Sequence, residues 1–148
     1  MTRGTDDGAT TPTIGSRRAA RERAMSLLYE SESRGVTPSE VLGLLPVKPD
    51  PYVIDLVMGV GTGQPEIDER IRARSIDWPL ERMPALDRAL LRLAVYELGE
   101  QFDIPAAVVI SEAVELAGIY STDSSSRFVN GLLAAIGKEL RPANPTPS

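Results

Sequence analysis

The sequence predicts an all-α protein of about seven helices, and three observations carry that reading. Apolar residues recur at three- and four-residue spacings through most of the chain. Capping residues, prolines and glycines punctuate it where helices should start and stop. No stretch alternates convincingly between apolar and polar residues, as a half-buried strand does. Val108-Val109-Ile110 alone is ambiguous, and its flanks decide for helix.

In chain order, residues 1–15 are rich in Thr, Gly and Asp without an apolar period and are expected to be a disordered tail. Ser16 is a suitable cap for a helix to about Ser33, with Ala20, Ala24, Leu27, Leu28 and Ser31 on one face and Gly35 closing it. Thr37-Pro38-Ser39-Glu40 is a capping box with proline at the first helical position. It opens a short helix carrying Val41, Leu42, Leu44 and Leu45, which Pro46 stops. Asp50-Pro51 opens a third, with Val53, Leu56, Val57 and Val60 at helical spacing, and Gly61 and Gly63 are expected to end it. Gln64-Pro65-Glu66 is expected to open a fourth around Ile67 and Ile71. Trp78-Pro79 and Met83-Pro84 bracket a connecting turn.

From Ala85 to about Gly99 the chain is apolar on most sides, with a narrow polar stripe at Arg88, Arg92 and Gly99, which predicts a central helix. Asp103 to Ile136 reads as two helices, the first capped by Asp103, joined by the polar elbow Ser121–Ser126. The first carries Val109, Ala113, Leu116 and Tyr120, and the second Val129, Leu132 and Ile136. The proline-rich residues 142–148 are expected to be a second disordered tail. The break near Gly61–Pro65 divides three helices from four, so one domain over 16–141 is expected with lobes of about 16–63 and 64–141.

A length of 148 residues suits one such domain. Hydrophobic residues make up 42% and aromatics 5%, so the core must be built mostly of Leu, Val, Ile and Ala. The chain has no cysteine and no histidine, which excludes disulfides, zinc sites built on those residues and any thiolate or imidazole mechanism. No apolar run approaches the roughly 18 residues of a membrane span, and no signal peptide is visible, so a cytoplasmic protein without membrane contact is expected. The net charge of −5 means that any attraction for nucleic acid must be local.

Local positive charge does occur. Arg17, Arg18, Arg21 and Arg23 cluster at the start of the first helix, the first three at neighbouring angles. They form either a phosphate-binding patch or a solvated first turn; their sign opposes the helix dipole, which favours a functional reason. At the other end of the chain the elbow leads into Arg127, Phe128 and Asn130. A helix N-terminus attracts phosphate, an arginine pairs with it, and a ring can stack a base. Taken alone, the spacing of Phe128 favours the core, and Asn130 could simply bond a neighbouring turn. Asp87 suits the first turn of its helix through the dipole. Glu97, Glu112 and Glu115 fit either hydrogen bonding at the edge of the core or solvated charge. Trp78 reads as a packing anchor. Gly59–Gly63 lacks the strand and the Lys-Ser/Thr of a phosphate loop. No nucleophile, base or metal set accompanies the carboxylates, so neither enzymatic activity nor a cofactor is expected.

The run EAVELA (Glu112–Ala117) followed by FVNG (Phe128–Gly131) resembles the C-terminal signature of the bacterial transcription antitermination factor NusB family. The resemblance extends to Trp78, Arg82, DRALLRLAVYEL (Asp87–Leu98) and RRAARERAMSLLY (Arg17–Tyr29), in the family's order and spacing. It implies two small helical bundles packed together. It further implies a factor that binds single-stranded boxA RNA of ribosomal RNA leaders with NusE, a small ribosomal subunit protein, within the RNA polymerase antitermination complex. Arg17, Arg18, Arg21, Ser125, Arg127, Phe128 and Asn130 would face RNA, and Asp87 and Arg88 would face NusE. Where the family commonly has an acid before the serine matching Ser125, this chain has Ser124, with Asp123 one earlier. Two alternatives remain open: the helical RNA-recognition module of a ribosomal RNA methyltransferase, and a protein-interaction module without RNA binding.

Overall fold

The computed structural model describes residues 14–142, and among them the chain forms six α-helices and one 3-10 turn. The helices are α1 (Ile14–Arg34), α2 (Pro38–Gly43), α3 (Pro51–Arg74), α4 (Ala85–Glu100), α5 (Ala106–Tyr120) and α6 (Asp123–Leu140), with the turn at Leu80–Arg82. Among the described residues there is no strand, as expected. The tails expected at 1–15 and 142–148 fall almost wholly outside the described residues, apart from Ile14 and Gly15, which already belong to α1, and Pro142.

Most start and stop signals act as read. Gly35 ends α1 at φ +70°, a conformation costly for residues with a Cβ. Thr37 and Glu40 form the reciprocal capping box of α2, and Asp50 caps α3. The cap expected for α5 is different: Pro105 occupies that position without a side-chain bond, and Asp103 pairs instead with Arg17 at 3.4 Å.

The expected break at Gly61–Pro65 does not occur. α3 runs unbroken from Pro51 to Arg74, crossing the point where the two lobes were divided. Three glycines cost about 1 kcal/mol each in a helix and an interior proline about 3. Against this, Val53, Leu56, Val57, Val60, Ile67 and Ile71 are buried along one continuous stripe, and each contributes about 1.5–3 kcal/mol. Burial therefore outweighs the breakers. Two of the glycines serve packing. A Cβ on Gly59 would lie 2.2 Å from the Tyr96 ring, and one on Gly61 would lie 3.2 Å from Pro38. They let α4 and α2 approach α3 closely.

α4 is the central helix, packed against α1, α3, α5 and α6. Buried apolar residues from all six helices form one contiguous cluster. Leu91, Leu93 and Leu98 of α4 are fully inside it. The last carbonyls of a helix run short of helical partners. Arg141 donates to those of Leu98 (3.0 Å), Glu97 (3.1 Å) and Gln101 (2.8 Å), and to Ile104; the Glu97 carbonyl also accepts from the Gln101 N–H at 2.9 Å, and that of Gln101 from the Ile104 N–H at 3.1 Å.

α1 is seated on α4 by a buried ion pair. Arg21 is 3% exposed, and its Nε lies 2.9 Å from both carboxylate oxygens of Glu97, which is 1% exposed. Tyr52 of α3 donates its hydroxyl to Glu97 Oε2 at 2.6 Å, and Glu112 of α5 lies 3.7 Å from Arg21. Four helices thus share one cluster of charge.

Gly59→Ala should destabilise the fold by about 1–3 kcal/mol, because the added methyl must displace a ring whose hydroxyl is bonded to Asp55. Gly131→Ala, where a Cβ meets nothing within 4 Å, should stabilise it by about 1 kcal/mol. Urea denaturation of both variants checks the sign of each. In the same assay Arg21→Met alone should cost about 3–5 kcal/mol by stranding the Glu97 carboxylate, whereas Arg21→Met with Glu97→Leu should recover most of that stability.

Candidate nucleic-acid interface

The arginines expected to bind phosphate lie at the start of α1, where the structure gives them separate roles. Arg21 turns inward, and its commitment to Glu97 removes it from any surface. Arg17 is held against the body of the protein, 3.4 Å from Asp103 and with its guanidinium 5.0 Å from the centre of the Tyr52 ring. Arg18 is the one that stays at the surface. Its guanidinium forks onto Glu112 at 2.9 and 2.8 Å and reaches Glu115 at 2.5 Å. The Arg18 guanidinium holds the Glu112 carboxyl below the usual carboxylate range. Glu97, Glu112, Glu115 and Asp103 thus supply the negative charge that offsets an arginine-rich helix start.

The elbow is built around a buried serine. Ser125 is 3% exposed and donates its hydroxyl to Asp87 Oδ2 at 2.7 Å. Ser121 donates to the Ser125 oxygen at 2.9 Å, and Thr122, the cap of α6, accepts from the Ser125 amide at 3.1 Å. Asp87 is 1% exposed, so its carboxylate lies inside the protein and not on a partner-facing surface. Its other oxygen, Oδ1, is buried without a hydrogen-bond partner. The residue expected to face NusE and the serine expected to face RNA therefore touch each other. Arg88 is similarly engaged, with Glu32 at 2.5 Å and the carbonyls of Leu80 (3.3 Å), Glu81 (3.5 Å) and Met83.

Phe128 is half-buried and meets the Trp78 ring edge-on, with centroids 4.6 Å apart at 65°. It packs against the core cluster and ties the start of α6 to the segment before α4. Arg127 and Asn130 are exposed on the same helix. They line an open groove of about 680 Å³ between α5 and α6, together with Ile110, Val114, Glu115 and Ser126. Through Glu115 this groove adjoins Arg18, so α5 links the two ends of the chain into one surface.

The sequence reading missed a second group, where the end of α5 meets α1. Tyr29 and Tyr120 are 43% and 44% exposed and line a groove of about 360 Å³ with Glu22, Arg23 and Leu86. Tyr120 donates its hydroxyl to Glu22, which bridges α5 to α1. Its helical spacing placed Tyr120 on the apolar stripe of α5, but the stripe leaves the core at the last turn. With only seven aromatic residues in the chain, two exposed rings beside the elbow were the available signal. Among the described residues no cluster of carboxylates or other ligands could hold a metal ion, and no helix is long and apolar enough to cross a membrane.

Comparison with known proteins agrees with this architecture. The sequence model of the NusB family matches residues 18–138. Transcription antitermination protein NusB of Kineococcus radiotolerans is 46% identical over 129 residues, spanning 84% of this chain and 95% of that protein. The structure of T. maritima NusB superposes with a TM-score of 0.78 at 33% identity, covering 89% of this chain and 96% of that one. A chain from a crystal structure of the antitermination factors NusB and NusE in complex with dsRNA gives 0.71 at 30% identity, covering 83% and 96%. With the family signature matched over most of its length and the fold shared with solved members, the chain belongs to the NusB family.

Proposed function

We propose that this chain is a transcription antitermination factor, a non-catalytic cytoplasmic adaptor that binds the single-stranded boxA element of ribosomal RNA leaders together with NusE. In this role it joins the RNA polymerase antitermination complex. The observation that carries the reading is the continuity of one surface from Arg18, past Glu115, into the groove lined by Arg127 and Asn130. A related complex pairs NusB and NusE with dsRNA, which supports NusE and RNA as partners.

In this reading Arg18 and Arg127 contact phosphates, with Arg17 flanking them, and Asn130 offers an amide to base edges. Ser125 acts from beneath, by fixing the elbow through Asp87. The exposed rings of the groove beside Arg23 are Tyr29 and Tyr120, the latter bonded to Glu22 through its hydroxyl, whereas Phe128 braces the start of α6 against Trp78. Arg21 contributes by holding α1 in place. NusE would meet the protein around the start of α4, where Asp87 and Arg88 hold the local backbone in shape and exposed neighbours such as Glu81 and Arg82 face outward.

Fluorescence anisotropy with a short unstructured RNA carrying the boxA sequence, against a scrambled control and with or without NusE, tests the reading. Tyr120→Ala should weaken binding by about 1–3 kcal/mol per base stacked, whereas Tyr120→Phe, which loses only the bond to Glu22, should show the same small drop in melting temperature and keep the RNA affinity. Arg127→Gln should lower the log–log salt slope by about 0.7, because one phosphate is no longer neutralised. Phe128→Ala should behave differently, costing about 3 kcal/mol of fold stability because the ring no longer braces Trp78. Binding to NusE without any binding to RNA would instead identify a protein-interaction module.

A further inference from the structure

Arg18 has two carboxylate partners with very different surroundings. Glu112 takes both sides of the fork, at 2.9 and 2.8 Å, and its side chain is 8% exposed. Glu115 touches one terminal nitrogen at 2.5 Å, and its side chain is 52% exposed. Glu112 alone is enough to aim the guanidinium, because a bidentate fork fixes its plane. Glu115 is therefore dispensable for orientation. It also stands three residues from Glu112 on one helix face, a spacing at which like charges repel unless a cation lies between them.

Glu115 sits where an incoming anion would sit. Its carboxylate takes the remaining N–H of Nη2, the nitrogen that Arg18 also turns to Glu112, and it lines the groove with Arg127 and Asn130. An exposed ion pair of this kind is weak, so a phosphate oxygen can replace it while Glu112 keeps the arginine in place. The displaced carboxylate stays on the groove rim and repels the phosphate backbone.

We propose that Glu115 is an internal competitor for phosphate at Arg18, a residue that sets how strongly any RNA must bind before it is retained. The inference rests on the RNA-binding reading above. Glu115 weakens all RNAs by a similar factor. Those held by backbone charge alone then fall below occupancy, and those that add base contacts remain bound. A net charge of −5 fits such a surface, which does not collect polyanions indiscriminately.

Glu115→Gln keeps the shape and removes the charge. With a short unstructured RNA of scrambled sequence as probe, it should raise affinity by about three- to ten-fold at low salt. It should also steepen the log–log salt slope by up to about 0.7, since Arg18 then meets phosphate unneutralised. Glu69→Gln, an equal charge change on an exposed position of α3 outside the groove, is the control and should do neither. Melting curves of both variants should match the parent chain. Equal effects from the two substitutions, or weaker binding by Glu115→Gln, overturn the inference while leaving RNA binding intact. A parent chain that binds no RNA, alone or with NusE, sinks the functional reading and this inference with it.

Discussion

The constraint on which the rest depends is the burial of Arg21 against Glu97. Both side chains are almost wholly out of water, and each without the other would be an unpaired charge in the core. This ties the register of α1 on α4 to one arrangement, since sliding either helix by a turn would separate them. Tyr52 adds a hydrogen bond from α3, and Glu112 lends a second negative charge from α5. Burial together with the bond to Glu97 pushes the Tyr52 hydroxyl's pKa well above its ordinary value. With α1 fixed in this way, Arg17 and Arg18 are set at the edge of α5 and not scattered over a free helix end.

A second buried contact does comparable work for the elbow. Ser125 and Asp87 join the start of α6 to the start of α4, and the Trp78–Phe128 contact joins α6 to the segment just before α4. Arg88 then fastens that same segment through three of its carbonyls. The start of α4 is thus the junction between the elbow and the surface proposed for the protein partner.

Much of the fold was legible because helix signals are local. The caps at Thr37 and Asp50, the left-handed Gly35 and the all-round apolar character of α4 each depend on a few neighbouring residues. The Gly61–Pro65 region misled for the opposite reason. Its glycines answer to Tyr96 and Pro38, which lie on other helices, and a break signal cannot be told from a packing signal within one segment. The site was legible as a set of regions and less so as individual roles. Arginine at 17, 18 and 21 looks alike in sequence, yet their fates depend on Asp103, Glu112 and Glu97, roughly 76 to 94 residues away. Asp87 and Ser125 resembled surface groups for the same reason. Their partner was each other, across 38 residues.

Arg141 gives the fold an order in time. The carbonyls it satisfies belong to α4 and the turn after it, up to 44 residues earlier in the chain. During synthesis the central helix emerges well before the residue that completes its end, and for that interval the Leu98 carbonyl has water in the place of Arg141. α1 and α3 can collapse onto α4 while the ribosome is still building α5 and α6, but the end of α4 closes last. A nascent chain of this kind holds its core helix with an unfinished end until Arg141 arrives.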